Sequence, residues 1–332
     1  MTIKVGINGF GRIGRLAFRA LFKHPNLIPH HINDPGATKE TLAHLVQFDS
    51  VHGIWDKSIE ATDSGFQVEG HPITVSHEYD ILKTPWEDCD VVLECTGVIK
   101  TQEKLTPYLE KGVSNVIVSC PVSDDGIPNI VIGVNDHLAE SDKYPILSNA
   151  SCTTNCLAPI VKVIHENFGI THGSMTTIHS PTNNQAVLDV ADNDLRRARA
   201  CNLSLIPSST GSAKAIGRIF PELDGLLNGH AVRVPTLNAS LTDCIFEVKK
   251  HTTADEVNQL LQEAADGPLK GILGFEMRPL VSIDFKSDPR SSIVDGLSTL
   301  VVNNTHVKIY SWYDNEWGYS NRLVELAIKA AQ

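Results

Sequence analysis

The sequence predicts an α/β protein in two parts. A doubly wound parallel sheet comes first, then an α+β domain on a mostly antiparallel sheet. Three observations carry this. Up to about residue 150, short β-branched runs alternate with helical stretches, the pattern of strand–helix–strand units whose sheet is covered on both faces. Beyond that point long strand-like runs follow one another with few helices between them. And 332 residues exceed what one hydrophobic core usually organises.

In order, IKVGIN (3–8) reads as a buried strand, and residues 11–23 place Ile13, Leu16, Ala17, Ala20 and Leu21 at helical spacing. IPHHIN (28–33) is a second strand ending at Asp34, and VVLECTG (91–97) a third with a glycine stop. TQEKLTPYLEKG (101–112) is helical, NVIVSC (115–120) a strand, and NIVIGVN (129–135) continues the strand series. A helix fits 153–168, with Leu157, Ile160, Val161, Ile164 and Phe168 on one stripe and Pro159 assigned to its first turns, where proline is tolerated. The later strands are SMTTIHS (174–180), HAVRVP (230–235), LTDCIFEVKK (241–250), PLVSIDF (279–285) and HVKIYSWYD (306–314). Thr253 and Glu256 form a capping box for a helix over 254–265, and GYSNRLVELAIKAA (318–331) is a terminal helix.

Apolar content is 42% and net charge is −11. No apolar run approaches the roughly 18 residues of a membrane span, and the acidic average opposes a nucleic-acid partner. The N-terminal MTIKVGINGFGRIGR lacks the apolar core of an export signal, so the cytoplasm is the expected compartment. Seven irregularly spaced cysteines without a CxxC pair suit free thiols rather than a disulfide framework or a structural zinc site, and no metal is expected.

Residues 9–14, GFGRIG, follow the first strand and open the first helix, and Asp34 stands 20 residues past Gly14 at the end of the next strand. Glycines let backbone approach a pyrophosphate, a helix N-terminus offers partial positive charge, and a carboxylate there accepts from an adenosine ribose. In that context Gly9, Gly11 and Gly14 are candidates for a nicotinamide dinucleotide site in a Rossmann-type domain. Asp34 favours NAD over NADP, because a 2′-phosphate would meet a like charge.

The stretch SCTTNC (151–156) sets Cys152 at the start of a predicted helix and Cys156 one turn deeper. A free thiol has a pKa of about 8.5, which a helix N-terminus and a nearby imidazole lower. Cys152 is therefore a candidate nucleophile and Cys156 a packing residue. Fourteen histidines are present, and His179, His165 and His230 remain open as its partner. Thr210 and Gly211 precede a helix whose free amides make an anion site. Arg233 sits among apolar neighbours in AVRVP, where an arginine needs a carboxylate or an anionic ligand. Arg196, Arg197 and Arg199 form a basic cluster open between a solvated face and an anion site.

INGFGRIGR, FDSVHG, SNASCTTNCLAP, LRRARA, STGSAKA, NGHAVRVPT and WYDNEWGYSNR occur in one order across the chain. With them the sequence resembles phosphorylating glyceraldehyde-3-phosphate dehydrogenases from end to end. The resemblance implies an NAD-binding domain over 1–151 with 316–332 and a catalytic domain over 152–315, the last helix packing back on the first domain. It implies Cys152 as nucleophile, His179 as its base, and Ser151, Thr153, Thr210 and Gly211 around the attacking phosphate. Thr182, Arg197 and Arg233 take the substrate's 3-phosphate. Arg12, Ile13, Asp34, Ser119 and Asn315 contact NAD. It also implies a homotetramer that oxidises glyceraldehyde 3-phosphate to an acyl phosphate through a cysteine thioester.

The chain departs from the family pattern at Pro181, where a tyrosine is usual, at Asn184, and at Val190-Ala191, where a Leu-Pro pair often stands. MTTIH, ACNLSLIP, LNASLTDCIFE and GPLKGILG resemble the branch associated with arsenate-resistance operons, which implies arsenate as an alternative acceptor giving 1-arseno-3-phosphoglycerate. Two further readings are an erythrose-4-phosphate dehydrogenase and a non-catalytic nucleotide- or RNA-binding protein of the same fold. The retained Cys152, His179, Thr182 and Arg233 oppose the second.

Overall fold

The structure is a computed structural model that describes residues 2–140, 143–183 and 185–332. Asn184 lies outside the described residues. The chain divides into two compact units. One runs to Ser151 and takes in Ser320–Gln332; the other is Cys152–Tyr319.

The strands of the first unit are β1 (Ile3–Asn8), β2 (Leu27–Asn33), β3 (Phe48–Asp49), β4 (Gly53–Ile54), β5 (Ile59–Thr62), β6 (Gly65–Val68), β7 (His71–Ser76), β8 (Val91–Glu94), β9 (Asn115–Val118) and β10 (Ile146–Ser148). Its helices are α1 (Arg12–Leu21), α2 (Lys39–Gln47) and α3 (Gln102–Glu110). The main sheet has the order β10-β9-β8-β1-β2-β7-β6-β5. It is parallel from β10 to β7 and antiparallel through β6 and β5. A change of winding direction on either side of β1 leaves a crevice beyond the carboxyl ends of β1, β2 and β8, the place where parallel sheets bind ligands. Phe10 anchors the turn after β1. It is buried, and its ring meets Phe18 of α1 edge-on at 5.4 Å.

The second unit holds β11 (Ile170–His179), β12 (Ile206–Ser209), β13 (Leu227–Arg233), β14 (Ser240–Val248), β15 (Leu273–Glu276), β16 (Ser292–Val302) and β17 (His306–Tyr313), with α4 (Cys152–Phe168), α5 (Ser212–Ile219) and α6 (Ala254–Asp266). Helix α7 (Trp317–Ala330) begins there and continues into the first unit's segment. The sheet order is β12-β13-β11-β14-β17-β16-β15, with parallel pairs only at β11/β13 and β15/β16. From Val307 onward strand β17 alternates buried and half-buried residues, the period-2 pattern that sends Tyr313 inward.

Several sequence expectations are corrected. Residues 129–135 form no strand: Asn129 makes one bridge to Ser148, and the edge strand is β10. The asparagines explain it, because Asn129 Oδ1 accepts from Val122 N at 3.1 Å and Asn135 Oδ1 from Val131 N at 2.7 Å, bonds that compete with a ladder. PLVSIDF is also not a strand. Asp284 accepts from Val281 N at 2.9 Å and closes a 3₁₀ turn over Ser282–Phe285. The capping box of α6 is half made: Thr253 accepts from Glu256 N at 3.2 Å, while the Glu256 carboxylate takes Thr252 Oγ1 at 2.8 Å. Pro159 falls beyond the first turns of α4, inside the helix, where its missing N–H costs a backbone bond. Strands β3 to β7, β10, β12, β15 and β16 and helix α2 are additions to the expected set.

Candidate active site

The first unit presents a cradle for a dinucleotide. Gly9 has φ +86°, and a Cβ there would lie 2.7 Å from Thr96 N, so the turn sits directly on the backbone after β8. A Cβ on Gly14 would lie 2.2 Å from Gly9 O, so α1 starts tight against the turn. Gly11, by contrast, faces open space. Two glycines are thus needed for close packing, and the third stands open at the start of α1. Asp34 Oδ2 accepts from Phe10 N at 2.8 Å and Oδ1 from Gly36 N at 2.9 Å. These bonds hold its carboxylate at the rim of the turn, beside a pocket of about 410 Å³ that includes Pro35, Thr38 and His77. Ile13 lies in the first turn of α1. Arg12 pairs with Asp49, whose carboxyl burial pushes up but the Arg12 and backbone bonds hold down at about 2. Ser119 follows β9, its N–H donating to Glu94 O at 2.9 Å. The shape and polarity of this crevice fit the dinucleotide that the sequence predicts.

In the second unit Cys152 is the first residue of α4 and His179 the last of β11. Cys152 Sγ lies 3.5 Å from His179 Nε2. Of the three candidate histidines only this one reaches the thiol. His165 closes the end of α4, with Nδ1 accepting from Ile170 N at 3.1 Å, and His230 is exposed on β13. His179 and Arg233 are register partners on the parallel strands β11 and β13. That pairing brings Arg233 Nη1 to 2.7 Å from His179 Nδ1 and 2.9 Å from Ser180 O. Nδ1 also lies 2.6 Å from Ser180 O. A guanidinium only donates and a carbonyl only accepts, so Nδ1 stands between a donor, Arg233 Nη1, and an acceptor, Ser180 O, and the ring's tautomer follows whichever of the two it bonds. Among the described residues no carboxylate pairs with Arg233, although Arg197 stands near enough for their charges to repel.

The electrostatics differ from expectation. Burial pushes the Cys152 thiol above its usual range, against the downward pull of Arg233 and of the α4 backbone amides. Burial, then the Arg233 charge, lower His179 to about 3. The resting pair is therefore a neutral thiol and a neutral imidazole, because desolvation outweighs the helix terminus. Cys156 is buried on the inner side of α4, its Sγ donating to Ser292 Oγ at 3.7 Å, and burial raises its thiol to about 11.

Supporting residues absent from the sequence reading fix these groups. Buried Tyr313 bonds Thr153 Oγ1 at 2.9 Å and Thr177 Oγ1 at 2.8 Å, and its ring meets His179 edge-on at 5.9 Å. It ties the first turn of α4 to β11. Ser240 Oγ accepts from Ser180 N at 3.1 Å and donates to Asn315 Oδ1 at 3.0 Å, which joins Asn315 to the histidine strand. Buried Asp314 accepts from Asn238 Nδ2 and from the backbone of Ser287, Glu316 and Trp317 at 2.7–3.0 Å, capping α7 and holding Asn315 in place. The alternation along HVKIYSWY is the signal that marks Tyr313 as inward-facing.

The remaining candidates are less tightly joined. Ser151 precedes Cys152 and is half-buried. Thr182 is exposed three residues beyond His179, with N–H donating to Gln185 Oε1 at 3.3 Å. Arg197 pairs with Asp194 at 3.5 Å and Arg199 with Asp189 at 2.9 Å. Thr210 Oγ1 accepts from Ser212 N at 3.2 Å, and Gly211 precedes α5. Because Ser209 pairs with His230 and Ile206 with Arg233, Thr210 leaves the sheet at the far end of β12 from Arg233.

A dinucleotide cradle on one unit and a thiol–imidazole pair on the other define a dinucleotide-dependent oxidoreductase. Comparison with known proteins narrows the class. Residues 3–102 match the NAD binding domain and residues 151–315 the C-terminal domain of the glyceraldehyde 3-phosphate dehydrogenase family models. The chain is 57% identical to glyceraldehyde-3-phosphate dehydrogenase 3 of Nostoc sp., over 100% of this chain and 99% of that protein. It is 48% identical to glyceraldehyde-3-phosphate dehydrogenase 1 of Bacillus subtilis over 100% and 99%, and 48% to the Geobacillus stearothermophilus enzyme over 98% of each. The chain belongs to the glyceraldehyde-3-phosphate dehydrogenase family, and NAD is its cofactor.

Proposed function

We propose that the protein oxidises D-glyceraldehyde 3-phosphate to 1,3-bisphosphoglycerate through a thioester on Cys152. The observation that carries this reading is the contact between Cys152 Sγ and His179 Nε2, with an arginine lacking a carboxylate partner on the other face of the imidazole. Arg233 is the counter-charge for the substrate's phosphate, with Arg197 and Thr182 completing that site. With Arg233 turned to the phosphate, Ser180 O holds the ring proton on Nδ1 and leaves Nε2 as the acceptor toward the thiol. The lost repulsion also returns basicity to the ring, so the base is switched on by the substrate. Sulfur attacks the aldehyde carbon as His179 takes the thiol proton and passes it to the carbonyl oxygen, which gives a hemithioacetal. The Cys152 amide is the oxyanion donor. His179 then removes the hydroxyl proton as hydride leaves the carbon, and the thioester remains. NAD, when bound, accepts that hydride, and Asn315 would hold its carboxamide. Phosphate, received by Ser151, Thr153, Thr210 and Gly211, attacks the thioester carbonyl; the C–S bond breaks, the acyl phosphate leaves, and the Cys152 thiolate takes back the proton from His179.

Arsenate, near-isosteric with phosphate, fits the same acceptor role and would give 1-arseno-3-phosphoglycerate. That branch rests on overall sequence resemblance. The assembled form is a homotetramer. Val187, Leu188, Val190, Leu195, Leu203 and Leu205 are exposed along one segment, a concentration of apolar side chains that suits an interface between copies of the chain. The cytoplasm suits seven free cysteines, and among the described residues no helix is long and apolar enough to cross a membrane. The test is NADH formation from glyceraldehyde 3-phosphate and NAD. Saturable dependence on phosphate, and on arsenate in its place, is expected. Turnover indifferent to both, with erythrose 4-phosphate preferred, would reassign the substrate.

A further inference from the structure

A buried carboxylate that the reaction does not use lies beneath the dinucleotide cradle. Glu94 ends β8 and is 1% exposed. Its Oε2 accepts from Tyr108 Oη at 2.5 Å and Asn8 Nδ2 at 2.9 Å, and its Oε1 from Thr96 N at 2.8 Å and Thr96 Oγ1 at 2.5 Å. Among the described residues no cation pairs with it. Four donors and no carbonyl facing the carboxyl are the surroundings of an ionised group, and a buried charge is tolerated only when so bonded. Burial is the largest influence and raises this carboxyl overall, although each of the four bonds pulls it down.

The network continues across the sheet. Asn33 Nδ2 donates to Asn8 Oδ1 at 2.8 Å, and Asn33 Oδ1 accepts from Ser76 Oγ at 2.8 Å and Glu78 N at 2.9 Å. Asn8, Asn33 and Glu94 end the adjacent strands β1, β2 and β8. Each is followed by a segment of the cradle: Gly9, Asp34 and the Thr96–Gly97 turn. Gly9 packs on the backbone of that turn, where a Cβ would come within 2.9 Å of three atoms of residues 95 and 96. Gly9 N also donates to Asn33 O at 2.8 Å.

We infer that Glu94 is a positioning residue for the cofactor: through Asn8 and Thr96 its carboxylate sets the spacing of the glycine turn, the Asp34 rim and the Thr96 turn, and so the affinity for the adenosine and pyrophosphate portion of NAD. Glutamine in its place presents an N–H to groups that already donate, so at least one of the four bonds is lost. In calorimetric titration of the full chain, Glu94→Gln is expected to weaken both NAD and ADP-ribose about tenfold, with kcat at saturating NAD within twofold of the parent. Thr96→Val keeps the backbone donor but loses the hydroxyl's bond to Glu94 and those it accepts from Val98 N at 3.2 Å and Ile99 N at 3.4 Å, and is expected to weaken both ligands about threefold. Val92→Ala, a core change on the same strand, should lower the melting temperature without moving either affinity. Unchanged ADP-ribose affinity in Thr96→Val, or in a folded Glu94→Gln, would overturn the inference. So would a loss confined to NAD, which would place the effect on the nicotinamide, or an equal loss in Val92→Ala, which would make it one of general stability.

Discussion

Replacing Cys152 by serine is expected to lower kcat on the order of 10⁴-fold or more while leaving the NAD dissociation constant within twofold. A hydroxyl keeps the size and the position at the start of α4, but it is a far weaker nucleophile and cannot carry a thioester. Losses of this size are what removal of a covalent nucleophile costs elsewhere. The groups that form the cradle belong to other elements, Gly9 to Gly14 on the turn after β1 and Asp34 after β2, so binding is retained. Steady-state turnover beside calorimetric titration reads both quantities. Equal loss of turnover and binding would mean that Cys152 supports structure.

His179→Asn is expected to lower kcat by roughly 10²–10⁴-fold, the range for a general base. Asparagine retains a donor toward Cys152 but cannot take its proton. The pH dependence carries a further sign. His179 is lowered to about 3, so in the free protein it is already neutral from pH 5 upward and adds no titration near 6.5. Alkylation of Cys152 by iodoacetamide should therefore show no step at pH 6–7 and rise on the alkaline side, where the buried thiol ionises. In the variant the same curve should lie lower at pH 7 and further toward alkali. An identical alkylation profile would show that the imidazole does not assist the sulfur.

The parts of this fold that could be read from sequence are those in which one local signal suffices. The run IKVGIN, the glycine turn and the stripe along 153–168 each combine periodicity with a breaker, and each becomes the expected element. The run 279–285 looked like a strand because its apolar spacing is right, yet one side chain, Asp284, turns it back on itself. Strand β16 carries no clear local signal, because Asp295 and Gly296 interrupt SIVDGLSTLVV, and its pairing with β17 shifts register at that point. There the tertiary ladder, not the local pattern, holds the strand.

The site divides along the same line. Cys152 stood out because a helix start after small polar residues is a recognisable place for a reactive thiol. Choosing among histidines needed the third dimension: His179 meets Cys152 only because β11 ends beside the start of α4, a contact between residues 27 positions apart. Tyr313, Ser240 and Asp314 act through bonds to residues far away in the chain. The Glu94 network is similarly invisible in sequence, since Asn8 and Tyr108 lie 86 and 14 residues from it. The direction of the thiol's shift went the other way for an energetic reason, because how much water the sulfur loses is a property of packing.

The most direct measurement of the account is a rapid-mix experiment with enzyme, NAD and excess glyceraldehyde 3-phosphate in the absence of phosphate and arsenate. The thioester mechanism predicts a burst of NADH approaching one per chain, then near arrest. The quenched protein should gain one acyl group on the peptide carrying Cys152, and phosphate should release it as acyl phosphate. Steady NADH production without a burst, or a burst whose acyl group lies on another residue, would contradict it.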